Sequence, residues 1–249
     1  MCRVLAQCLT RGLPSGVHSK ALQLYSHIFE RIDVDFFIRD LSLYSLGLFP
    51  LLQHATESVR PVLLDIFKKY YIPLGHNLSV VATSFISAIL PGLEDLTSEH
   101  YAPSLSVLGS ISSALGEYLF LQGMWQVIDA SPSLRLAALE YLSSIHVPRL
   151  SNIVSGQVSD GTVDAENKSS IDIGEAAVVP ALPAPPAYQR LMVTALLSSL
   201  SDDNPLIVRA ALDLMINYAP LKPIYISSSQ TDTSTPKPST PAPTTTTAT

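Results

Sequence analysis

The sequence predicts an all-α fold of stacked helices, a HEAT/armadillo-like α-solenoid with a disordered C-terminal tail, and three observations carry that expectation. Apolar residues recur at helical spacing along nearly every ordered stretch, with almost no period-two alternation. The pattern also repeats at long range. Ser131-Pro132 leads into Leu136-Ala137-Ala138-Leu139-Glu140 and then Leu142, while Asn204-Pro205 leads into Arg209-Ala210-Ala211-Leu212-Asp213 and then Met215. In the second helix of such a repeat, proline opens the helix, small alanines permit close packing, and an Arg or Asp satisfies carbonyls or partners between neighbours. Finally, composition divides the chain. Of its 19 prolines, 11 lie between Pro180 and Pro243, and the last 23 residues hold nine Thr, five Ser and four Pro. Such a tail cannot bury enough apolar surface to offset its ordering entropy. An irregular helical bundle is the alternative packing of the same helices.

The elements follow in order. A first helix is expected over 3–11. After Pro14-Ser15-Gly16, with Ser15 as N-cap, Val17, Ala21, Leu24, Tyr25, Ile28, Phe29 and Ile32 form an apolar stripe, opposite His18, Ser19, Lys20, Gln23, Glu30 and Arg31. Asp33 and Asp35 precede Phe36-Phe37-Ile38 and read as helix-capping carboxylates rather than an acid/base pair. A helix over 46–55 is expected to bend around Gly47 and Pro50. Val59, Val62, Leu63, Ile66, Phe67 and Tyr70 form the next stripe, with Pro61 in its first turn and Pro73-Leu74-Gly75 ending it. Further helices are expected at 78–90, 103–115, 117–129, 132–145, 188–200 and 205–219. The uncharged window 75–93 offers about 13 residues between breakers, against the ~20 that cross a bilayer, and reads as a buried core helix. These elements group into a helical domain at 1–150, an acidic Pro/Ala-rich linker at 151–186, a continuing helical pair at 187–226 and the tail at 227–249.

Charge and composition narrow the function classes. The chain carries 15 Lys and Arg against 21 Asp and Glu, net −6, with no cationic cluster beyond Lys68-Lys69, which argues against a nucleic-acid track or a polybasic lipid-binding segment. Cys2 and Cys8 stand six apart, which a helix would place on different faces, so neither a disulfide framework nor a zinc site is expected, consistent with a reducing compartment. The N-terminus makes a poor signal peptide. There is no phosphate loop, GxSxG elbow, HExxH, CxxC or calcium loop. Gly109, Gly116 and Gly123, seven residues apart, read as close helix packing. Glu99-His100 lacks a second imidazole at ligand spacing and reads as a solvated histidine at a helix start. His54 and His146 lie near helix C-termini, where the dipole favours an imidazolium. Cys8 with a distant histidine is the one nucleophilic pair to weigh. Trp125, the single tryptophan, sits among Leu119, Phe120, Leu121, Met124 and Val127 and is expected in the core, with an interface anchor as the rival role. No catalytic, metal or cofactor residue is therefore assigned, and no interaction residue either. Thr235-Pro236 and Thr240-Pro241 are candidate proline-directed phosphorylation sites in a flexible tail.

Six segments resemble, in order, the N-terminal domain of the Dopey family of membrane-traffic proteins. They are LAQCL at 5–9, LPSGVHSKAL at 13–22, RDLSLYSLGLFPLL at 39–52, LLDIFKKYYIPLG at 63–75, LPGLE at 90–94 and SPSLRLAALEYL at 131–142, together with Trp125. The resemblance covers about residues 3–150. It implies a non-enzymatic role: very large, cytosolic scaffolds held peripherally on Golgi, trans-Golgi network and endosome membranes. Such scaffolds work in vesicle-mediated transport with an Arf-exchange-factor-related scaffold and a phospholipid flippase. It further implies links to kinesin cargo attachment and phosphoinositides, and indirect membrane association. Family members start upstream of this chain and continue far beyond it, so Met1 is read as an internal start, and activities of the distal half are not carried over. No nucleic acid, small-molecule substrate or cofactor is expected. A HEAT-type nuclear-transport or regulatory adaptor keeps the same fold with different partners, and a hydrolase built on Cys8 is the rival from another class.

Overall fold

The computed structural model describes residues 2–146 and 186–217. The linker expected at 151–186 lies outside them except for Pro186, as does the tail expected at 227–249. Among the described residues there are helices and no strands. Eleven α-helices follow in order: α1 (Cys2–Gln7), α2 (Ser15–Phe29), α3 (Val34–Arg39), α4 (Leu41–Leu51), α5 (Arg60–Ile66), α6 (Ala82–Ile89), α7 (Tyr101–Leu115), α8 (Glu117–Ala130), α9 (Arg135–Tyr141), α10 (Pro186–Leu200) and α11 (Pro205–Asn217). A π turn at Phe67–Tyr71 and 3-10 turns through Ile72–Val81 join α5 to α6, and a second π turn, Leu142–His146, extends α9.

The helices stack as a solenoid. One row runs α1 on α4, α4 on α6, α6 on α8 and α8 on α10, and beside its distal end α9 packs on α11. The hairpin α10–α11 therefore lies on the hairpin α8–α9, helix for helix, as the repeated sequence predicts. Ala138 and Ala211, equivalent in the repeat, are both fully buried and let the successive helices approach.

Several elements differ from the sequence reading, each for a physical reason. The first helix ends at Gln7, because the following carbonyls are taken by other groups: Thr10 Oγ1 donates to the Gln7 carbonyl, while imidazoles meet those of Leu9 and Thr10. Pro14, not Ser15, caps α2; its extended backbone (φ −62°, ψ 150°) aims its carbonyl at the N–H groups of Val17 and His18. The buried face of α2 is His18, Ala21, Leu22, Tyr25 and Phe29, so Val17 and Leu24 are exposed and His18 is inside. Gly47 and Pro50 lie within α4 rather than at a bend, and a Cβ at Gly47 would sit 2.5 Å from the Ala6 Cα; the glycine is where α1 touches α4. Asp33 caps α3, its Oδ1 accepting from the Asp35 N–H at 3.0 Å, as expected.

Of the three evenly spaced glycines, Gly123 alone marks close packing, against Ile86 of α6 at 2.7 Å from an added Cβ; Gly109 faces open space. Gly116 has φ +79°, a conformation that ends α7 and starts α8 at once and that L side chains resist. Gly75, at φ +57°, makes the corresponding break between α5 and α6. The helical run Arg60–Leu93 is long and apolar enough to cross a membrane by length and composition alone. Its kink at Gly75 and the fully buried Phe67, Tyr71, Leu78, Phe85, Ile86 and Ile89 make it the core of the stack. Phe49 and Phe85 stack at 5.1 Å there, and Tyr71 donates to Ser45 Oγ at 3.2 Å while Ser45 donates to the Leu41 carbonyl at 2.7 Å. Burial raises the Tyr71 pKa.

Candidate functional site

The chemistry-bearing residues fall into three places. At the proximal end, His18 Nε2 donates to the Thr10 carbonyl and His54 Nε2 to the Leu9 carbonyl, both at 3.0 Å, with the rings 5.9 Å apart in a T-shaped contact. One histidine of α2 and one of the turn after α4 thus hold the turn that follows α1, a role that spacing along the chain does not reveal. His18 Nδ1 is buried without a partner. Cys8 is half-buried and hydrogen-bonded to neither of these two rings. Burial, reinforced by the Cys2 and Cys8 thiols, pushes the Tyr25 hydroxyl up to about 12. Among the described residues, no three His, Cys, Asp or Glu side chains gather as a metal would require.

In the middle, His100 precedes α7 and is buried, correcting the expectation of a solvated side chain; the loop before it folds back through Ser98, whose Oγ accepts the His100 N–H at 3.3 Å. The side chain of His146 lies outside the described residues.

At the distal end one buried side chain gathers several polar partners. Arg135, at the start of α9, is buried; its Nε donates to the Ile128 carbonyl at 2.9 Å, and Nη1 donates to the Ser198 carbonyl at 3.3 Å and to the Asp202 carboxylate. Ser198 in turn donates to Asp129 Oδ1 at 2.8 Å. One guanidinium therefore ties the C-terminus of α8 to the C-terminus of α10 and the turn after it, joining the two hairpins. Trp125 is fully buried, its indole N–H donating to the Tyr188 hydroxyl at 3.0 Å, which makes it a core residue rather than an interface anchor.

The second helices show what is left open. Leu139 of α9 is 0% exposed, whereas Leu212, its equivalent in α11, is 46% exposed, and Ile216 one turn further on is 75% exposed. Leu206 and Leu197 add to this apolar end, and Arg209 reaches Asp213 at 3.8 Å along the exposed side of α11. The arrangement offers surfaces for contact and no convergent nucleophile, base and oxyanion set among the described residues.

The Dopey N-terminal family description matches residues 1–236. The chain belongs to the Dopey family. Among the curated Dopey relatives, Protein DOP1B of Mus musculus is 37% identical over 216 residues, covering 87% of this chain and 8% of its own length. Protein DOP1 homolog of Drosophila melanogaster is 38% identical over 143 residues, 55% of this chain and 5% of its own length. Protein DOP1 of Saccharomyces cerevisiae is 29% identical over 230 residues, 86% of this chain and 14% of its own length. The chain thus spans a small part of the Dopey proteins it matches. None of these relatives carries an enzyme's name. No solved structure matches.

Proposed function

We propose that the chain is a non-enzymatic scaffold module in vesicle-mediated protein transport between endosomes and the Golgi, acting by protein–protein contact. Membership of the Dopey family across residues 1–236 carries this reading. A solenoid whose last described helix, α11, exposes Leu206, Leu212 and Ile216 supports it, because stacked repeats present extended surfaces suited to partners. The family resemblance points to an Arf-exchange-factor-related scaffold and a phospholipid flippase as partners, and to indirect, peripheral attachment at Golgi, trans-Golgi network and endosome membranes. A net charge of −6 fits contact with proteins better than contact with anionic lipid.

The test is proximity labelling in cells with the full chain fused to a biotin ligase, together with imaging of the tagged chain. Enrichment of the scaffold or the flippase, with Golgi or endosomal puncta, is the expected result. Enrichment of nuclear-pore proteins with a nuclear-rim signal would instead favour the HEAT-type transport adaptor and overturn this reading.

A further inference from the structure

A groove of about 510 Å³ opens between the loop leading into α7, the outer side of α9 and the start of α11. Its floor is apolar, with Tyr101, Ala137, Tyr141 and Ala210, and its lips are Leu96 and Leu206, which are 71% and 57% exposed. Large apolar side chains at the lips of a concave surface are what a docking site leaves uncovered.

The charge around it is mostly negative. Glu140 and Asp213 line the groove, Glu94, Asp95 and Glu99 are exposed on the loop that forms one wall, and the single cation among the described residues that line it, Arg209, is already beside Asp213 at 3.8 Å. Such a rim repels phosphate and anionic lipid headgroups and favours cationic side chains. The chain's own stretch 147–185 carries five carboxylates against Arg149 and Lys168, so its charge does not complement that rim.

We propose that this groove binds a short segment of another protein that inserts one or two apolar anchor residues between Leu96 and Leu206 and sets flanking Lys or Arg against the carboxylate rim. The inference rests on the scaffold reading and names the face and the partner chemistry through which it acts. Anchors in a pocket with charges at the rim give affinity and selectivity respectively.

The probe is a phage-displayed library of random 16-residue peptides selected on the full chain, with the enriched peptides measured by fluorescence anisotropy. Enriched peptides should combine apolar anchors with Lys or Arg, lose affinity with added salt, and bind about tenfold more weakly to Leu96→Asp, Leu206→Asp and Glu140→Lys. Binding to Val80→Asp, at an exposed site outside the groove, should be unchanged. All four positions are exposed, and circular dichroism is the check that each variant is folded. No enrichment, acidic peptides, or equal affinity for the groove variants overturns the inference, as does retention on phosphatidylserine vesicles that those variants lose. Proximity partners that Leu96→Asp/Glu140→Lys keeps would sink the groove while leaving the scaffold reading intact; loss of all traffic partners by the unaltered chain would sink the reading itself.

Discussion

Arg135 meets more groups than its length of side chain suggests, and its removal tests how the two distal hairpins are held. Arg135→Ala strips the Ile128 and Ser198 carbonyls and the Asp202 carboxylate of their donor in a largely covered site. Unfolding in urea is expected to show a loss of about 2–4 kcal/mol. Asp202 adds a pH signature. The Asn204 N–H first, and the Arg135 guanidinium after it, hold its carboxyl below the usual range against the opposing effect of burial. A lowered folded-state pKa means stability that is present above the ordinary aspartate value near ~3.9 and lost as pH falls below it. The stability gap between the unaltered chain and Asp202→Asn should therefore be open at pH ~7 and shrink as pH falls through and below that value. The role of Arg135 was half legible in the sequence: an arginine joining repeat neighbours is what the motif suggests, but its partner lies 67 residues away across a stretch that sequence spacing cannot close. His18 was misread for a related reason. Periodicity sorts residues by polarity, and a polar ring that spends its N–H on the carbonyl of a neighbouring turn is buried despite it.

At the level of elements, helix contacts are set by where a side chain is absent. Gly47→Ala would place a methyl group against the Ala6 backbone, which can only be relieved by moving α1 off α4, and should cost about 1–3 kcal/mol. Gly109→Ala, in open space on α7, should gain about 0.5–1 kcal/mol from helix propensity alone. Chemical denaturation of the two variants side by side checks the opposite signs. Helix positions were largely readable, because stripes such as Val59, Leu63, Ile66 and Phe67 are buried as their spacing implies. The breaks were less so. Gly75 was expected simply to end a helix, whereas its positive φ lets the chain turn and continue helically into α6, a choice decided by packing of Phe67, Tyr71 and Phe85 rather than by local sequence. Pro50 likewise sits inside α4, where the surrounding stack tolerates it.

Across the whole molecule, equivalent residues in successive repeats have unequal environments because one hairpin covers the other. Leu139→Ala should cost about 2–5 kcal/mol, the ordinary range for emptying a packed site. Leu212→Ala, at the same place in the motif, should change stability by less than about 0.5 kcal/mol; the comparison is read from urea midpoints of the two variants. The repeat itself could be read from the two Ala-Ala-Leu segments, and the family from the ordered motifs. The groove between the α7 loop, α9 and α11 could not, since its walls come from segments that nothing local links. The bond from Trp125 to Tyr188 has an optical consequence. The chain holds one tryptophan, so its emission comes from a single indole seated where α8 meets α10. A shift of that emission to longer wavelength reports the distal hairpin leaving the stack, while ellipticity reports the helices themselves. The two curves should coincide in a urea titration, because the α8–α10 contact joins both hairpins into one cooperative unit; emission shifting at lower urea would reveal a hairpin that opens while the rest of the solenoid stays folded.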